Sequence, residues 1–392
     1  MGEDFDQITI EQLRAAGGLK WTAFPEAIGA FVAEMDFGVP PAVADVLDRA
    51  RTTGALGYLP HTERRTLKEA TATWLGRTTG WQVPAERVHL LPDVLSVLRE
   101  TIRHFTAPGT AVIVPTPAYM PFLTVPLAAG RDVVEVPSLV DDAGRYRLDL
   151  DGIDAAFAAG AGLLLLCNPW NPVGRVLTRE ELLAVAEVVE ARGGRVFADE
   201  IHAPLVLDDV PHVPYASLDA RTAAHTVTAV AASKGWNIPG LKCGQMILSN
   251  DADAAAFAPY ATDAGDTVGL LGARAATEVY TDDGGWLADV VDYLRGNRDL
   301  LGELVAEHLP GAVLSPLEGT YIAWLDVRGL DLEEPAAAFF RQEAAVALTD
   351  GAGCGEAGAG FVRLVIATPR PILRQAIEQM GVALAARRAP AR

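Results

Sequence analysis

The segment GLLLLCNPWNPVGRVLTREELLAVAEVVEARGGRVFADEIH (162–202) determines the fold class. It contains two short apolar runs, GLLLLCNP (162–169) and RVFADE (195–200). Each run ends in polar or turn-forming residues, which predicts two buried strands. A helical pattern separates them. Two strands joined by a helix of this length are parallel in a sheet that has helices on its faces.

The helix inside this segment carries its own start and stop signals. Thr178 is suited to cap the N-terminus, and Glu181 stands three residues later, as in a capping box. Gly193 is suited to end the helix, because glycine adopts the left-handed conformation common after a last helical turn.

The same alternation extends in both directions. TAVIVPTP (110–117) and HTVTAVAAS (225–233) predict further strands of a mostly parallel sheet. The C-terminal part follows another pattern: a long amphipathic helix at 286–307, strand-like segments at 313–327 and 360–370, and a final helix at 371–388. The predicted fold class is therefore α/β, with a large domain built on a mostly parallel sheet and a smaller α+β domain formed by the N- and C-terminal segments.

The predicted division of the chain is 1–45 for the N-terminal part of the small domain, 46–285 for the large domain and 286–392 for the C-terminal part. With 392 residues, the chain is long enough for more than one domain.

The charge balance argues against nucleic acids and anionic membranes as partners. The chain has 32 Lys and Arg against 51 Asp and Glu, for a net charge of −19, whereas both kinds of partner favour basic patches.

The sequence also gives no sign of a membrane span or a signal peptide. The longest aliphatic run, Leu163–Leu166, is too short to span a bilayer. The acidic N-terminus has no signal-peptide pattern, so a cytoplasmic location is expected. The three cysteines are widely spaced and indicate neither a disulfide framework nor a metal site.

Four polar clusters fall at or just after the predicted strands. They are Pro115–Tyr119, Asn168–Arg175, Asp199–His202 and Ser233-Lys234. Because ligands of open α/β sheets bind at the carboxyl ends of the strands, these clusters predict one site.

Lys234 is the most informative of these residues, since the chain has only four lysines and this one follows a buried strand. Burial lowers the pKa of a lysine and frees its amine as a nucleophile. A lysine together with an acid such as Asp199 is the set that pyridoxal 5'-phosphate (PLP) requires, because the lysine forms the Schiff base and the acid faces the pyridine nitrogen.

The sequence resembles the fold-type I PLP-dependent enzymes of the aspartate-aminotransferase superfamily and, within them, the MalY/PatB-type C–S lyases, or cystathionine β-lyases. The features that carry this resemblance extend over nearly the whole chain: Lys20-Trp21, Val32–Phe37, Gly57-Tyr58, Cys167–Arg175, Asp199–His202, Ser233-Lys234, Gly319–Asp326 and Arg363.

The resemblance implies a role for each residue around the cofactor ring. Lys234 would be linked to PLP and later move the substrate's Cα proton, and Asp199 would keep the pyridine nitrogen protonated. Asn171 would hydrogen-bond the ring's phenolic oxygen, with His202 beside it. Tyr119 would stack on the ring and is counted with Lys234 and Asp199 as catalytic.

The resemblance also implies how substrate and subunits are arranged. Arg363 would bind the substrate carboxylate with two hydrogen bonds, which a lysine could not do. Asn171 and Tyr58 are also expected to contact the substrate. Tyr58 would reach the phosphate of the neighbouring subunit, so the resemblance implies a homodimer with its active site at the subunit interface.

The cofactor phosphate is expected at the start of a helix near Pro92, where Asp93 would cap the helix and the Val94 N–H would face the phosphate. Lys242 would supply a cation and Ser233 a further cofactor contact. Asp93 stands where the family often has glycine, Lys242 where arginine is common, and Ala231 where the family tends to have serine.

The function implied is α,β-elimination from an S-substituted L-cysteine such as cystathionine, giving pyruvate, ammonia and a thiol. Three alternatives stay open: a class I/II aminotransferase; a specialised pathway enzyme that acts on a larger cysteine S-conjugate, by elimination or by oxygen-dependent decarboxylative deamination; and a PLP-binding regulator that acts through a protein partner.

Overall fold

A seven-stranded sheet forms the centre of the computed structural model, which describes residues 4–388. In spatial order its strands are Val88–Leu91, Gly244–Leu248, Thr226–Val230, Arg195–Asp199, Leu163–Cys167, Val112–Thr116 and Val133–Pro137. Only Gly244–Leu248 runs antiparallel to its neighbours, and the other adjacent pairs are parallel. The prediction of a mostly parallel sheet is confirmed.

Helices cover both faces of this sheet, which is why its central strands are continuously apolar. Leu163–Leu166, for example, are almost completely buried. The α-helices of the described residues are Ile10–Ala16, Leu19–Thr22, Pro41–Thr53, His61–Thr79, Val94–Phe105, Pro121–Ala128, Leu150–Ala158, Arg179–Arg192, Ala220–His225, Ala232–Gly235, Asp251–Phe257, Ala261–Asp266, Leu270–Thr281, Trp286–His308, Ala336–Glu343 and Arg370–Arg388. Within residues 4–388, none of them has the length and apolar character needed to cross a membrane.

The helix between strands Leu163–Cys167 and Arg195–Asp199 forms as its sequence predicts. It extends over Arg179–Arg192, and the Thr178 side chain accepts a hydrogen bond from the Glu181 N–H while the Glu181 carboxylate accepts one from the Thr178 N–H. Gly193 ends the helix with φ at 62°. Local hydrogen bonds alone explain these boundaries.

A second, four-stranded antiparallel sheet lies in the C-terminal part, in the order Val313–Leu314, Ile322–Asp326, Phe361–Val365 and Thr349–Asp350. The long helices Trp286–His308 and Arg370–Arg388 pack against each other beside it. Two further pairs of short strands complete the structure: Ile28–Gly29 with Val346–Ala347, and Leu139–Val140 with Tyr146–Arg147.

The pairing of Ile28–Gly29 with Val346–Ala347 joins the N-terminal segment to the C-terminal part of the chain. The predicted domain boundary after residue 45 falls inside helix Pro41–Thr53. The predicted boundary after residue 285 coincides with the start of helix Trp286–His308. The division into domains itself stays a prediction.

One predicted element is shorter than expected. The strand predicted for 225–233 ends at Val230, the last of its residues that pairs with a neighbouring strand. A single helical turn, Ala232–Gly235, follows, closed by a hydrogen bond from the Trp236 N–H to the Ala232 carbonyl. Lys234 therefore lies on this turn rather than at the end of a strand.

Candidate active site

The carboxyl ends of adjacent strands meet at one cavity of about 520 Å³. Asp199 is the last residue of its strand and pairs in register with Cys167, the last residue of the neighbouring strand. Seven of the residues predicted from sequence line this cavity: Val94, Tyr119, Asn171, Asp199, His202, Lys234 and Arg363.

The Lys234 amine points into the cavity and donates a hydrogen bond of 2.6 Å to the main-chain carbonyl of Ala33. Burial, together with the positive charge of Arg363, lowers the pKa of Lys234 to about 8. Near neutral pH the amine therefore exists as a nucleophile far more often than an exposed lysine does. The lowered pKa agrees with the expectation from the sequence.

The Asp199 carboxyl group is buried, and one of its oxygens accepts a hydrogen bond of 3.1 Å from the Ile201 N–H. Burial raises the pKa of Asp199 to about 7. An ionised carboxylate in such a place needs a cation or a strong hydrogen-bond donor beside it. A protonated nitrogen of a bound ring would meet that need.

Arg363 and Asn171 form another polar part of the cavity wall. The Arg363 guanidinium is buried and donates to the Asn171 side-chain oxygen (3.3 Å), the Phe31 carbonyl (2.9 Å) and the Thr349 hydroxyl (3.3 Å). Its Nε has no hydrogen-bond partner among the described residues. A buried guanidinium with spare donor capacity is suited to bind a carboxylate.

His202 and Tyr119 complete the polar lining. Burial lowers the pKa of His202 to about 3, so its imidazole is neutral, and its Nδ1 has no partner within residues 4–388. Burial also raises the pKa of the Tyr119 phenol, and the Asp199 charge adds to this effect. Both side chains are therefore uncharged groups that could contact a ligand.

The helix Val94–Phe105 begins at the cavity. One oxygen of the Asp93 carboxylate accepts hydrogen bonds from the N–H and the hydroxyl of Ser96, each 2.8 Å long, so Asp93 caps this helix as predicted. The other oxygen lies 3.1 Å from the Lys242 amine. The helix start thus places the Val94 backbone and a lysine at the same end of the cavity.

Four predicted residues do not line the cavity of their own chain. Asp93 is one of them, although Val94, the first residue of the helix that it caps, does line the cavity. Ser233 precedes Lys234, and Lys242 is held beside the helix start by Asp93, so both lie next to the wall. Tyr58 is 97% exposed and contributes nothing to this cavity. A role for Tyr58 at the site requires a second copy of the chain.

The N-terminal segment also lines the cavity, through residues that no sequence motif marks as functional. The Ala33 carbonyl accepts from Lys234 and also, at 2.9 Å, from the hydroxyl of Tyr321. Thr320, which precedes Tyr321, has φ at 69°, an uncommon conformation for a non-glycine residue. The amino-acid sequence reveals neither feature, because every residue has a main-chain carbonyl and a threonine does not usually adopt a positive φ.

A buried ion pair fixes this segment. The Lys20 amine lies 2.7 Å from the Asp36 carboxylate, whose other oxygen accepts from the Trp21 indole at 2.8 Å. Asn237, three residues after Lys234, hydrogen-bonds both the N–H and the carbonyl of Met35 at 2.9 Å. These contacts give a structural role to Lys20-Trp21 and Val32–Phe37, two of the segments that carry the resemblance to the C–S lyases.

The comparisons with known proteins agree with this geometry. The family described as "Aminotransferase class I and II" matches residues 30–380. The chain belongs to this family. Within it, the chain is 37% identical over 379 residues to cystathionine beta-lyase of Corynebacterium glutamicum, covering 96% of this chain and 99% of that protein. It is 30% identical to cystathionine beta-lyase PatB of Bacillus subtilis, covering 95% of this chain and 98% of that protein.

A solved structure supports the same assignment to the aminotransferase class I and II family. Cystalysin from Treponema denticola, whose crystal structure contains PLP, superposes with a TM-score of 0.91 at 28% identity, covering 99% of this chain and all of that chain.

The residues of this chain fit PLP. The cavity offers the free amine of Lys234, the buried carboxyl group of Asp199 and the start of helix Val94–Phe105, which are the partners of an aldehyde, a protonated pyridine nitrogen and a phosphate. The unpartnered Nδ1 of His202 is a further buried polar atom that a ligand could satisfy.

Proposed function

We propose that the protein is a PLP-dependent carbon–sulfur lyase, which cleaves an S-substituted L-cysteine to pyruvate, ammonia and a thiol. The observation that carries this proposal is the placement of the Lys234 amine in one cavity with the Asp199 carboxyl group and the Arg363 guanidinium. The relatives described above as cystathionine beta-lyases match nearly the full length of the chain, which supports the same reaction class.

Five residues of the chain would hold the cofactor. Lys234 would bind it covalently, Asp199 would pair with the ring nitrogen, and Asn171 and His202 would contact the ring. The N–H of Val94 would donate to the phosphate. When bound, PLP withdraws electrons from the substrate's Cα and makes the Cα–H bond acidic.

The protein's own groups orient and move the substrate's protons. Arg363 would hold the α-carboxylate. The substrate's own amine would replace that of Lys234 on the cofactor, and the released Lys234 amine would then accept the proton from Cα. The Cα electron pair then forms a double bond to Cβ while the C–S bond breaks and its electrons leave on sulfur as a thiolate, which takes up a proton. Water hydrolyses the released 2-aminoacrylate to pyruvate and ammonium, so one conjugate and one water give thiol, pyruvate and ammonium.

The active unit is a homodimer in this proposal. Tyr58 and Leu56 are strongly exposed large side chains on the loop before helix His61–Thr79, where a monomer gains nothing from them. In a dimer the partner subunit's Tyr58 completes the phosphate end of the site. The cytoplasmic location expected from the sequence stays a prediction.

The test is a product balance with purified holoenzyme and a set of S-substituted L-cysteines that includes L-cystathionine. Pyruvate, ammonia and free thiol should appear in equal amounts, and Lys234→Ala should abolish all three. Lys68→Ala is the matched control, since Lys68 lies outside this cavity. A 2-oxo acid that keeps its sulfur, without ammonia, would establish transamination instead, and oxygen consumption with CO₂ release would establish oxidative chemistry.

A further inference from the structure

The Lys234 amine has one hydrogen-bond acceptor among the described residues, the main-chain carbonyl oxygen of Ala33 at 2.6 Å. Arg363, Glu34 and Asp199 act on this amine through their charges, and none of them hydrogen-bonds it. A neutral amine that donates an N–H to a carbonyl directs its lone pair away from that oxygen. The direction in which Lys234 presents its lone pair therefore depends on where the Ala33 carbonyl points.

The peptide group that joins Ala33 to Glu34 is held at both ends. The Tyr321 hydroxyl donates to its carbonyl oxygen at 2.9 Å, and its N–H, which belongs to Glu34, donates to the Val32 carbonyl at 2.8 Å. Because a peptide group is planar, the carbonyl and the N–H turn together, and a rotation would strain both hydrogen bonds. The two bonds thus keep the acceptor for Lys234 in one place.

Tyr321 is itself firmly placed. Its side chain is buried, and its ring lies edge to face with that of His202, with centroids 6.0 Å apart. Its carbonyl accepts from the Ile366 N–H at 2.9 Å, and the N–H of the preceding Thr320 donates to the Leu205 carbonyl at 2.7 Å. Burial raises the pKa of Tyr321, so its hydroxyl keeps its proton and serves as a donor rather than a base.

We propose that Tyr321 is a positioning residue: its hydroxyl fixes the Ala33 carbonyl, which orients the Lys234 amine for transfer of the substrate's Cα proton. This inference rests on the proposed lyase function, in which the substrate's amine has replaced that of Lys234 on the cofactor. The Lys234 lone pair forms the new N–H bond, and the electron pair of the broken Cα–H bond stays on carbon. The resulting ammonium donates to the Ala33 carbonyl, and a charged donor makes the stronger hydrogen bond.

The deciding experiment follows by NMR the exchange of the Cα proton of L-alanine in D₂O with the holoenzyme. L-Alanine has no group on Cβ to expel, so its exchange reports proton transfer without C–S cleavage. Tyr321→Phe removes the hydroxyl and keeps the ring, and it should slow the exchange by about tenfold, because a small misplacement of a reacting group is costly. With an S-substituted L-cysteine, kcat should fall by a similar factor while KM stays within about twofold.

Tyr280→Phe is the matched control. Tyr280 is as buried as Tyr321, and its hydroxyl donates to the Gln245 side chain at 3.0 Å, outside the cavity. Each variant loses one buried hydrogen bond, so the thermal midpoints of the two apoproteins should fall alike, and their dissociation constants for PLP should agree within about twofold. Only Tyr321→Phe should slow the exchange and, in stopped-flow measurements, the attachment of PLP to Lys234 of the apoprotein.

The outcomes separate this inference from the lyase function. Exchange at the wild-type rate in Tyr321→Phe, or the absence of exchange in the wild type, would overturn the positioning role. A larger loss of stability and of PLP affinity in Tyr321→Phe than in Tyr280→Phe would also overturn it, because the hydroxyl would then serve the fold. Failure to release thiol and pyruvate from any conjugate would refute the lyase function, while the exchange of the L-alanine proton would still decide the role of Tyr321.

Discussion

The Lys234 amine lies 2.6 Å from the main-chain carbonyl oxygen of Ala33, a residue 201 positions earlier in the chain. The same oxygen accepts a hydrogen bond from Tyr321, so three distant parts of the chain meet at one atom. A carbonyl oxygen has two lone pairs, and here both are used. The N-terminal segment thus contributes directly to the position of the amine that carries the proposed chemistry.

The lowered pKa of Lys234 predicts how cofactor attachment depends on pH. Only the neutral amine attacks an aldehyde, so attachment of PLP to the apoprotein should accelerate about tenfold from pH 7 to pH 9 and then level off. Stopped-flow absorbance measures this rate, and Lys68→Ala should give the same profile. A rate that keeps rising in proportion to hydroxide up to pH 10 would indicate an ordinary, exposed lysine.

The buried pair of Lys20 and Asp36 predicts a large loss of stability on substitution. Asp36→Ala leaves the Lys20 charge buried without its partner and should lower the free energy of unfolding by about 3–5 kcal/mol. Because the pair anchors the segment that contains Ala33, PLP binding should weaken as well. Asp48→Ala, which breaks an exposed pair with Arg51, is the control. Denaturant unfolding that gave the same stability for both variants would contradict this assignment.

The capping role of Asp93 predicts a smaller effect. Asp93→Ala removes the acceptor for the Ser96 N–H and should lower stability by about 1 kcal/mol, whereas Asp93→Asn keeps an acceptor and should cost less. The thermal midpoints of the apoproteins provide the comparison. If Asp93→Ala were as stable as the wild type, the carboxylate would have no capping function.

The proposed homodimer, in which each site uses Tyr58 of the partner subunit, predicts complementation between two inactive variants. Lys234→Ala retains Tyr58, and Tyr58→Ala retains Lys234, so a mixed dimer has one complete site and one that lacks both. Random reassociation should restore about a quarter of wild-type activity. Each variant alone should stay inactive, and sedimentation should give twice the 41.5 kDa of one chain. A mixture with no more activity than its components would show that Tyr58 acts within its own subunit or not at all.

Local patterns in the sequence were sufficient for the sheet, for the capped helix Arg179–Arg192 and for the cluster of polar residues at the strand ends. Apolar runs predict buried strands, and a capping box forms between residues three apart. The carboxyl ends of adjacent parallel strands must lie together, so Asp199 and the segment after Cys167 could be placed in one site without coordinates.

Only the tertiary structure could place the Ala33 carbonyl, the short turn that carries Lys234, and the apolar wall formed by Phe24, Phe31 and Leu348. The placement of the Ala33 carbonyl and of the apolar wall depends on contacts between residues hundreds of positions apart, and such contacts leave no period or spacing in the sequence. The turn is local, but its four residues, Ala232–Gly235, are too few to show a helical period. The amino-acid sequence therefore determined the kind of site and most of its reactive groups. The packing of the N-terminal segment against the C-terminal part decided which surfaces enclose them.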